Sequence, residues 1–466
     1  MEDQKVRKDD IDNKEKKDKK EVDMLHGPLA MKLILFALPL ALSSILQQLF
    51  NSADVAVVGR YAGSDALAAV GANVANVGVF VNLMVGASAG PNIVIANMIG
   101  TGKRDEVSKA VHTIMTMAIL GGLLLMGIGM AIARPLLLST NTPAGILSAA
   151  ELYLRVYLIG IPFILIYNFG SAILRSIGDT KRPLYVMLIS GAINVGLNLL
   201  FVIGFDMEVL GVAVATVISN VLSAGMIVLI LIREQGMIHL DLRKLQLNRL
   251  YAGRVIRFAI PSGIQGMVFS VSNIFVQSGI NVFGEDAIAG SSAALNFEYF
   301  TYAISAAFAQ GTVTFTSQNY GAGRYDRCRR IFWLTLAEGI GFTALLCAVF
   351  VIFRIPFVRI YTTDDAVIRY ALIRMMRVMA LEAITATYEV GAASLRSMNY
   401  AIIPVVLTIL GTVGFRIVYI YTVFQHFHTF EQLMIVYPAS WIFTGALMLI
   451  FYAIIVSKRL PKTQAE

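Results

Sequence analysis

Twelve long apolar stretches constrain this chain more than any other feature. They cover about residues 33–58, 66–98, 107–133, 147–173, 184–205, 210–232, 258–282, 288–318, 331–353, 367–395, 404–424 and 432–456. A helix of about 20 apolar residues crosses a ~30 Å hydrocarbon core. Inside that core only helices and closed barrels satisfy every backbone donor and acceptor, and runs this long favour helices. Composition agrees: 57% of the 466 residues are hydrophobic, 15% are charged, and the mean hydropathy is +0.70. Soluble domains carry about 25% charged residues. A water-soluble chain of this length has no interior large enough to hide so much apolar surface. The expected fold is an all-α integral membrane protein of twelve transmembrane helices.

Charge gives the expected orientation. Residues 1–24 hold 8 Lys/Arg and 9 Asp/Glu and read as a disordered cytosolic tail with no secretory signal. The rest of the chain holds 30 basic and 21 acidic residues. In a soluble protein that excess would suggest nucleic acid, but here it sits in alternate loops. Segments 100–106, 174–183, 233–257, 321–330, 396–403 and 457–466 carry 19 Lys/Arg, whereas the opposite loops carry only Arg60, Arg134, Arg354 and Arg359. The positive-inside rule then puts both termini in the cytosol. Cys328 and Cys347 make no disulfide framework.

The chain also repeats itself. FALP at 36–39 returns as FAIP at 258–261, and GSDALA at 63–68 as GEDAIA at 284–289. GTGK at 100–103 returns as GAGR at 321–324, LRS at 174–176 as LRS at 395–397, and Pro183 as Pro404. All five offsets are 221 or 222 residues. The expected organisation is a tail (1–24), an N-lobe of six helices (25–232), a cytosolic linker (233–257), a C-lobe of six helices (258–456) and a second cytosolic tail (457–466). Six spans per repeat give two lobes of one orientation, pseudo-symmetric about an axis along the membrane normal, with substrate handled at or near their interface. Parallel repeats of this kind are a transporter architecture. GTGK lacks the full phosphate-loop pattern and follows no strand, so it reads as a glycine turn with a basic cap.

Polar residues inside spans are the functional candidates, because an ionisable side chain at mid-bilayer costs about 2.5–3.5 kcal/mol on insertion scales. Ser43, Gln47, Asn51 and Asp54 follow Pro39 along one side of the first helix. Interhelical hydrogen bonding would explain the first three. Asp54 needs a cation or a proton. Asn194 and Asn198 share a face of the fifth span, and Thr216 lies early in the sixth. Together they form an all-oxygen set suited to a small hard cation such as sodium, although packing explains the asparagines equally well.

The second half does not copy this set: Asn194 maps to Phe415, Asn198 to Tyr419, and Asp54 to Phe275 or Val276. It has Glu382 and Glu389 seven residues apart in the tenth span, and Arg416 in the eleventh. Pairing of Arg416 with Glu389 or Glu382 is expected, as a structural pair or as part of coupling. Glu298 lies near the outer end of its span and is expected to reach water, and Glu338 to be solvated or paired. His426 and His428 read as a wet loop rather than a metal site. No nucleophile–base or metal-hydrolase constellation is visible, so no enzyme and no cofactor are expected.

PLALSSILQ at 39–47, NSADVAVVGR at 51–60, LRSIGDTKRP at 174–183, NVGLN at 194–198, GVAVATVIS at 211–219 and QNYGAGR at 318–324 together resemble the multidrug and toxic compound extrusion (MATE) family. The resemblance covers nearly the whole chain after the tail. It implies two six-helix lobes around a cleft that opens alternately to either side. It also implies export of organic cations and amphipathic drugs by antiport with Na+ or H+, from a monomer in the bacterial cytoplasmic membrane. Asp54 matches the family's first-span ion-binding aspartate, Asn194 and Asn198 its fifth-span polar pair, and Thr216 a further oxygen ligand, with Gln47 and Asn51 nearby. The NorM-type branch has a glutamate where this chain has Ser270 and an aspartate where it has Thr385. The nearest rival reading is a flippase for lipid-linked or polysaccharide precursors from the same superfamily, which would need a strongly cationic cavity.

Overall fold

The computed structural model describes residues 23–140 and 142–459. Most of the expected N-terminal tail and the end of the C-terminal one lie outside the described residues. Twelve helical rods follow one another: α1 (Ala30–Tyr61), α2 (Gly63–Ala87 continued by Ala89–Gly100), α3 (Arg104–Ser139), α4 (Ala144–Ile159 and Ile161–Ser176), α5 (Lys181–Leu199) and α6 (Glu208–Arg233). The second set is α7 (Arg249–Asn281), α8 (Glu285–Gly321), α9 (Tyr325–Ile352), α10 (Asp365–Arg377, Met379–Ile384 and Thr385–Ser397), α11 (Ile402–Thr408 through Phe415–Tyr421) and α12 (Phe430–Arg459).

Among the described residues nine helices are long and apolar enough to cross a membrane, and α4 makes ten when its two halves count as one span bent by 42°. The bend falls at Gly160-Ile161-Pro162, where proline supplies no backbone N–H to the preceding turn. The two remaining rods are α8, rich in Ser, Thr, Asn and Gln, and α10, which tightens into a 3-10 helix at the position matching the α4 bend. Both carry the polar residues of the C-lobe. Single π-helical stretches interrupt α5 at Leu200–Gly204 and α11 at Ile409–Gly414.

One apolar core fills the N-lobe and runs across to Val255, Phe258, Ala259, Val313 and Ala393 of the second half, and another fills the C-lobe. The lobes meet along a seam at one end, the end carrying the basic loops. At its centre the contact is reciprocal. A Cβ on Gly100 would lie 2.0 Å from the Gln318 carbonyl oxygen, and one on Gly321 2.4 Å from the Asn97 carbonyl oxygen. An offset of 221 converts each contact into the other. Asn92 and Thr314, repeat partners at 222, hydrogen-bond at 2.9 Å between α2 and α8. The pseudo-two-fold axis therefore passes between these helices.

The flanking contacts differ. Backbone meets backbone where α2 crosses α7: a Cβ on Gly86 would lie 2.4 Å from Ser262 O, and one on Gly266 2.5 Å from Asn82 O. Its counterpart, α1 on α8, is filled by Leu33, Ala37, Ala307, Phe308 and an edge-to-face pair of Phe36 and Phe315 at 5.5 Å. Hydrogen bonds between the lobes stop at Asn82–Ser270 (2.8 Å) among the described residues, and beyond it Val74 and Ile274 are exposed.

Candidate functional site

In the N-lobe the structure brings three of the expected residues together. Asn198 Nδ2 donates to the Asp54 carboxylate and lies 3.4 Å from Asn194 Oδ1. Both asparagines are buried, and Asp54 is half-buried. The i, i+4 spacing on α5 aligns the two amides, and packing of α1 against α5 sets Asp54 opposite them. Phe50 on α1 lies where a side chain at Gly191 of α5 would stand, so this glycine permits the close approach. Tyr153 and Tyr157 of α4 lie within electrostatic range of Asp54.

No basic side chain pairs with Asp54 among the described residues. Asn198 Oδ1 is buried without a partner. Turning that amide over would present Oδ1 beside the carboxylate and Asn194 Oδ1, giving an oxygen cluster from two helices. The cluster therefore has the chemistry to take a proton on the carboxylate or a hard cation among its oxygens.

The other expected members make no hydrogen bond to Asp54 among the described residues. The Thr216 hydroxyl donates to Val212 O at 2.9 Å, within its own helix. Gln47 and Asn51 are exposed, and neither is hydrogen-bonded to Asp54. Ser43, on the same stripe, donates back to Pro39 O at 2.8 Å.

In the C-lobe the expected partnership of Arg416 is wrong. Arg416 donates to Ser440 Oγ (3.1 Å), Ser272 Oγ (3.2 Å) and Asn273 Oδ1 (2.7 Å), and lies 4.7 Å over the Tyr437 ring. Glu382 accepts instead from the Thr301 hydroxyl, and Glu389 from the Tyr302 hydroxyl at 2.7 Å. The cause is local winding. The π-helical turn at Ile409–Gly414 comes just before Arg416 and shifts its phase toward α7 and α12. The 3-10 stretch of α10 holds Glu382 in a different winding from Glu389.

Glu298, expected to reach water, is buried in a two-point pair with Arg374, Nε to Oε1 and Nη2 to Oε2 both at 2.7 Å. Arg374 also donates to Ser291 Oγ at 2.6 Å and lies 5.0 Å over Tyr437. Sequence reasoning missed this pair; the available signal was an arginine in the tenth span and a glutamate in the eighth. Glu338 is half-buried with one carboxylate oxygen unpartnered. Among the described residues no group of three His, Cys, Asp or Glu could hold a metal ion.

The MatE family model matches the chain twice, over residues 39–200 and 261–422. The matched segments are themselves 222 residues apart, as the internal repeat is. The probable multidrug resistance protein YoeA of Bacillus subtilis is 24% identical over 430 residues, 90% of this chain and 91% of that protein. The probable multidrug resistance protein NorM of Thermotoga maritima is 25% identical over 383 residues, 81% of this chain and 82% of that protein. A solved outward-facing MATE family transporter of the MOP superfamily superimposes with a TM-score of 0.86 at 21% identity, covering 94% of this chain and 98% of that one. That likeness establishes the fold: two six-helix lobes.

Proposed function

Because the chain belongs to the MatE family of transporters, we propose that it exports amphipathic organic cations, multidrug substrates among them, by antiport against Na+ or H+. The coupling ion binds at Asp54. The observation that carries this reading is a lone carboxylate in the N-lobe, held by a neutral amide from Asn198 and facing no fixed cation. A charge so placed is stable only with a proton or a mobile cation.

The positive-inside reading puts the closed end of the seam in the cytosol, so the described state is open to the outside. In the proposed cycle Asp54 takes its ion from outside, with Asn194 and Asn198 as neighbours. Ion binding alters the packing of α1 against α5 and releases the drug outward. The two ligands need not share a site, but each must favour the opposite state for exchange to be coupled. Drug affinity comes from the apolar faces of the cleft and from adaptable contact with Phe, Tyr and Met.

The test is efflux of a preloaded cationic dye from pump-deficient cells, followed by proteoliposomes with imposed Na+ or pH gradients. Wild type should export, and Asp54→Asn should express normally yet fail to. Coupled export by Asp54→Asn would overturn the assignment. Whichever gradient drives export identifies the ion.

A further inference from the structure

A cavity of about 260 Å³ opens at the basic end of the seam, where α2 meets α7. Its polar lining comes from both lobes: Asn97, Thr101 and Lys103 from one, Arg254, Arg257 and Asn399 from the other. Arg254 and Arg257 are exposed and pair with no carboxylate among the described residues. Lys103 has only an exposed contact with Glu106 at 3.4 Å, of a kind that contributes little.

The repeat shows how this scaffold uses such cations elsewhere. Arg254 corresponds to Lys32, Lys103 to Arg324, Phe258 to Phe36, and Asn399 to Gly178. Asn399 and Gly178 both adopt left-handed backbone, with φ of 72° and 92°. On that side of the molecule the cations hold oxygen atoms of the chain itself. Lys32 Nζ donates to Asp23 O (2.5 Å) and His26 O (2.8 Å), and Arg324 Nη1 donates to Leu25 O (2.6 Å). At the α2–α7 crevice the same positions are cationic and hold no carbonyl oxygen among the described residues.

We propose that this crevice binds the phosphate-bearing headgroup of an anionic phospholipid, and that its occupancy favours the state closed at this end. A phosphate supplies the acceptor oxygens that residues 23–26 supply on the other side. A lipid fits better than a soluble anion because apolar surface continues from the cations into the span. Ile93, Val94, Met98 and Phe258 line the cavity next to them, and Ile256 and Ile260 are exposed on another face of α7. Basic pockets between helices on the cytoplasmic side are suited to anionic headgroups. A headgroup touching both lobes binds the joined arrangement more tightly than the separated one, so it shifts the equilibrium toward closure. Binding itself is independent of the transport reading; the effect on the closed state rests on it.

The experiment titrates the purified full-length chain with phosphatidylglycerol, phosphatidylcholine or inorganic phosphate, reading retained adducts by native mass spectrometry and stabilisation by thermal unfolding. Arg254→Gln/Arg257→Gln should bind phosphatidylglycerol about 25-fold more weakly, because each basic residue near an anionic surface contributes about a factor of five. The charge-matched control Arg233→Gln/Lys458→Gln, at the same end of the molecule, should change binding by less than about twofold. Lys103→Gln provides a second pocket variant from the other lobe. Spin labels at Val74→Cys and Ile274→Cys should report a larger share of long distances when phosphatidylglycerol is added. Equal losses in pocket and control variants, or phosphatidylcholine binding as tightly as phosphatidylglycerol, would overturn the site. Stabilisation by inorganic phosphate equal to that by the lipid, and lost in the pocket variant, would overturn the lipid assignment and keep the anion site.

Discussion

The two lobes share one helical plan and handle charge within it in opposite ways. The N-lobe presents one carboxylate, Asp54, to neutral amides. In the C-lobe Glu298 and Arg374 satisfy each other at two points, and Tyr437 lies between Arg374 and Arg416. Glu389 takes a phenol hydrogen bond from Tyr302, and Arg396 donates to Gln265 Oε1 at 2.6 Å. The divergence is reciprocal. Asp54 maps onto Phe275 or Val276, while Glu298 and Arg374 map onto Val77 and Tyr153. Each lobe therefore has apolar or neutral residues where the other placed its charges. A compensated pair holds helices in register, whereas an uncompensated carboxylate is a place for a mobile ion. We assign the switching role to the N-lobe and the holding role to the C-lobe pair.

Substituting one carboxylate in each lobe should separate the roles. Asp54→Asn should reduce coupled dye efflux to background while leaving the thermal unfolding midpoint within a few degrees, since no buried cation is stranded and the new amide can still accept from Asn198. A large fall in stability would make Asp54 a structural residue and break the comparison. Glu298→Ala should do the reverse. It leaves the Arg374 guanidinium buried and unpaired, a loss of about 3–5 kcal/mol, visible as poor detergent-solubilised yield and early unfolding. Glu298→Leu with Arg374→Met should recover much of that loss, because no buried charge remains. A stable Glu298→Ala single variant would count against a holding role for this pair.

The seam gives a smaller and more selective effect. Gly100→Ala puts a methyl group against the Gln318 carbonyl, so something must move for the lobes to close. Overpacking of this kind costs about 1–3 kcal/mol, roughly a 5- to 150-fold shift toward the state open at this end. Cysteine accessibility at the basic end should rise, with each lobe still folded. Gly321→Ala should match it, because the two contacts are repeat-related. Unequal responses would show that the pseudo-two-fold axis does not extend to energetics.

Much of this was legible because it is local. Span length follows from the apolar runs, the repeat from shared segments, and the nearness of Asn194 to Asn198 from helical spacing alone. Arg416 and Glu298 were not legible for a physical reason. A single π turn rotates everything beyond it, and nothing in ILGTVG announces one. The surroundings of Glu298 depend on where α10 packs, and α10 is itself broken at Met379–Ile384. The seam glycines were visible as repeated turn residues in GTGK and GAGR. Their contact with the opposite lobe is tertiary and leaves no mark in either segment alone.

Thr216 tests how far the N-lobe site extends. The family resemblance offers it as an oxygen ligand, but its hydroxyl is committed to Val212 O within α6. A threonine that back-bonds to its own helix contributes little to stability, and valine keeps its shape while removing the oxygen. Thr216→Val should therefore unfold within about 0.5 kcal/mol of wild type, and export should stay within about twofold. Asn198→Ala should weaken export more, because it removes a group already on the carboxylate. If Thr216→Val instead abolishes export in a well-folded protein, the Thr216 oxygen, which keeps its acceptor lone pairs while donating to Val212 O, belongs to the ion site. The site would then extend to α6 rather than lie between α1 and α5 alone.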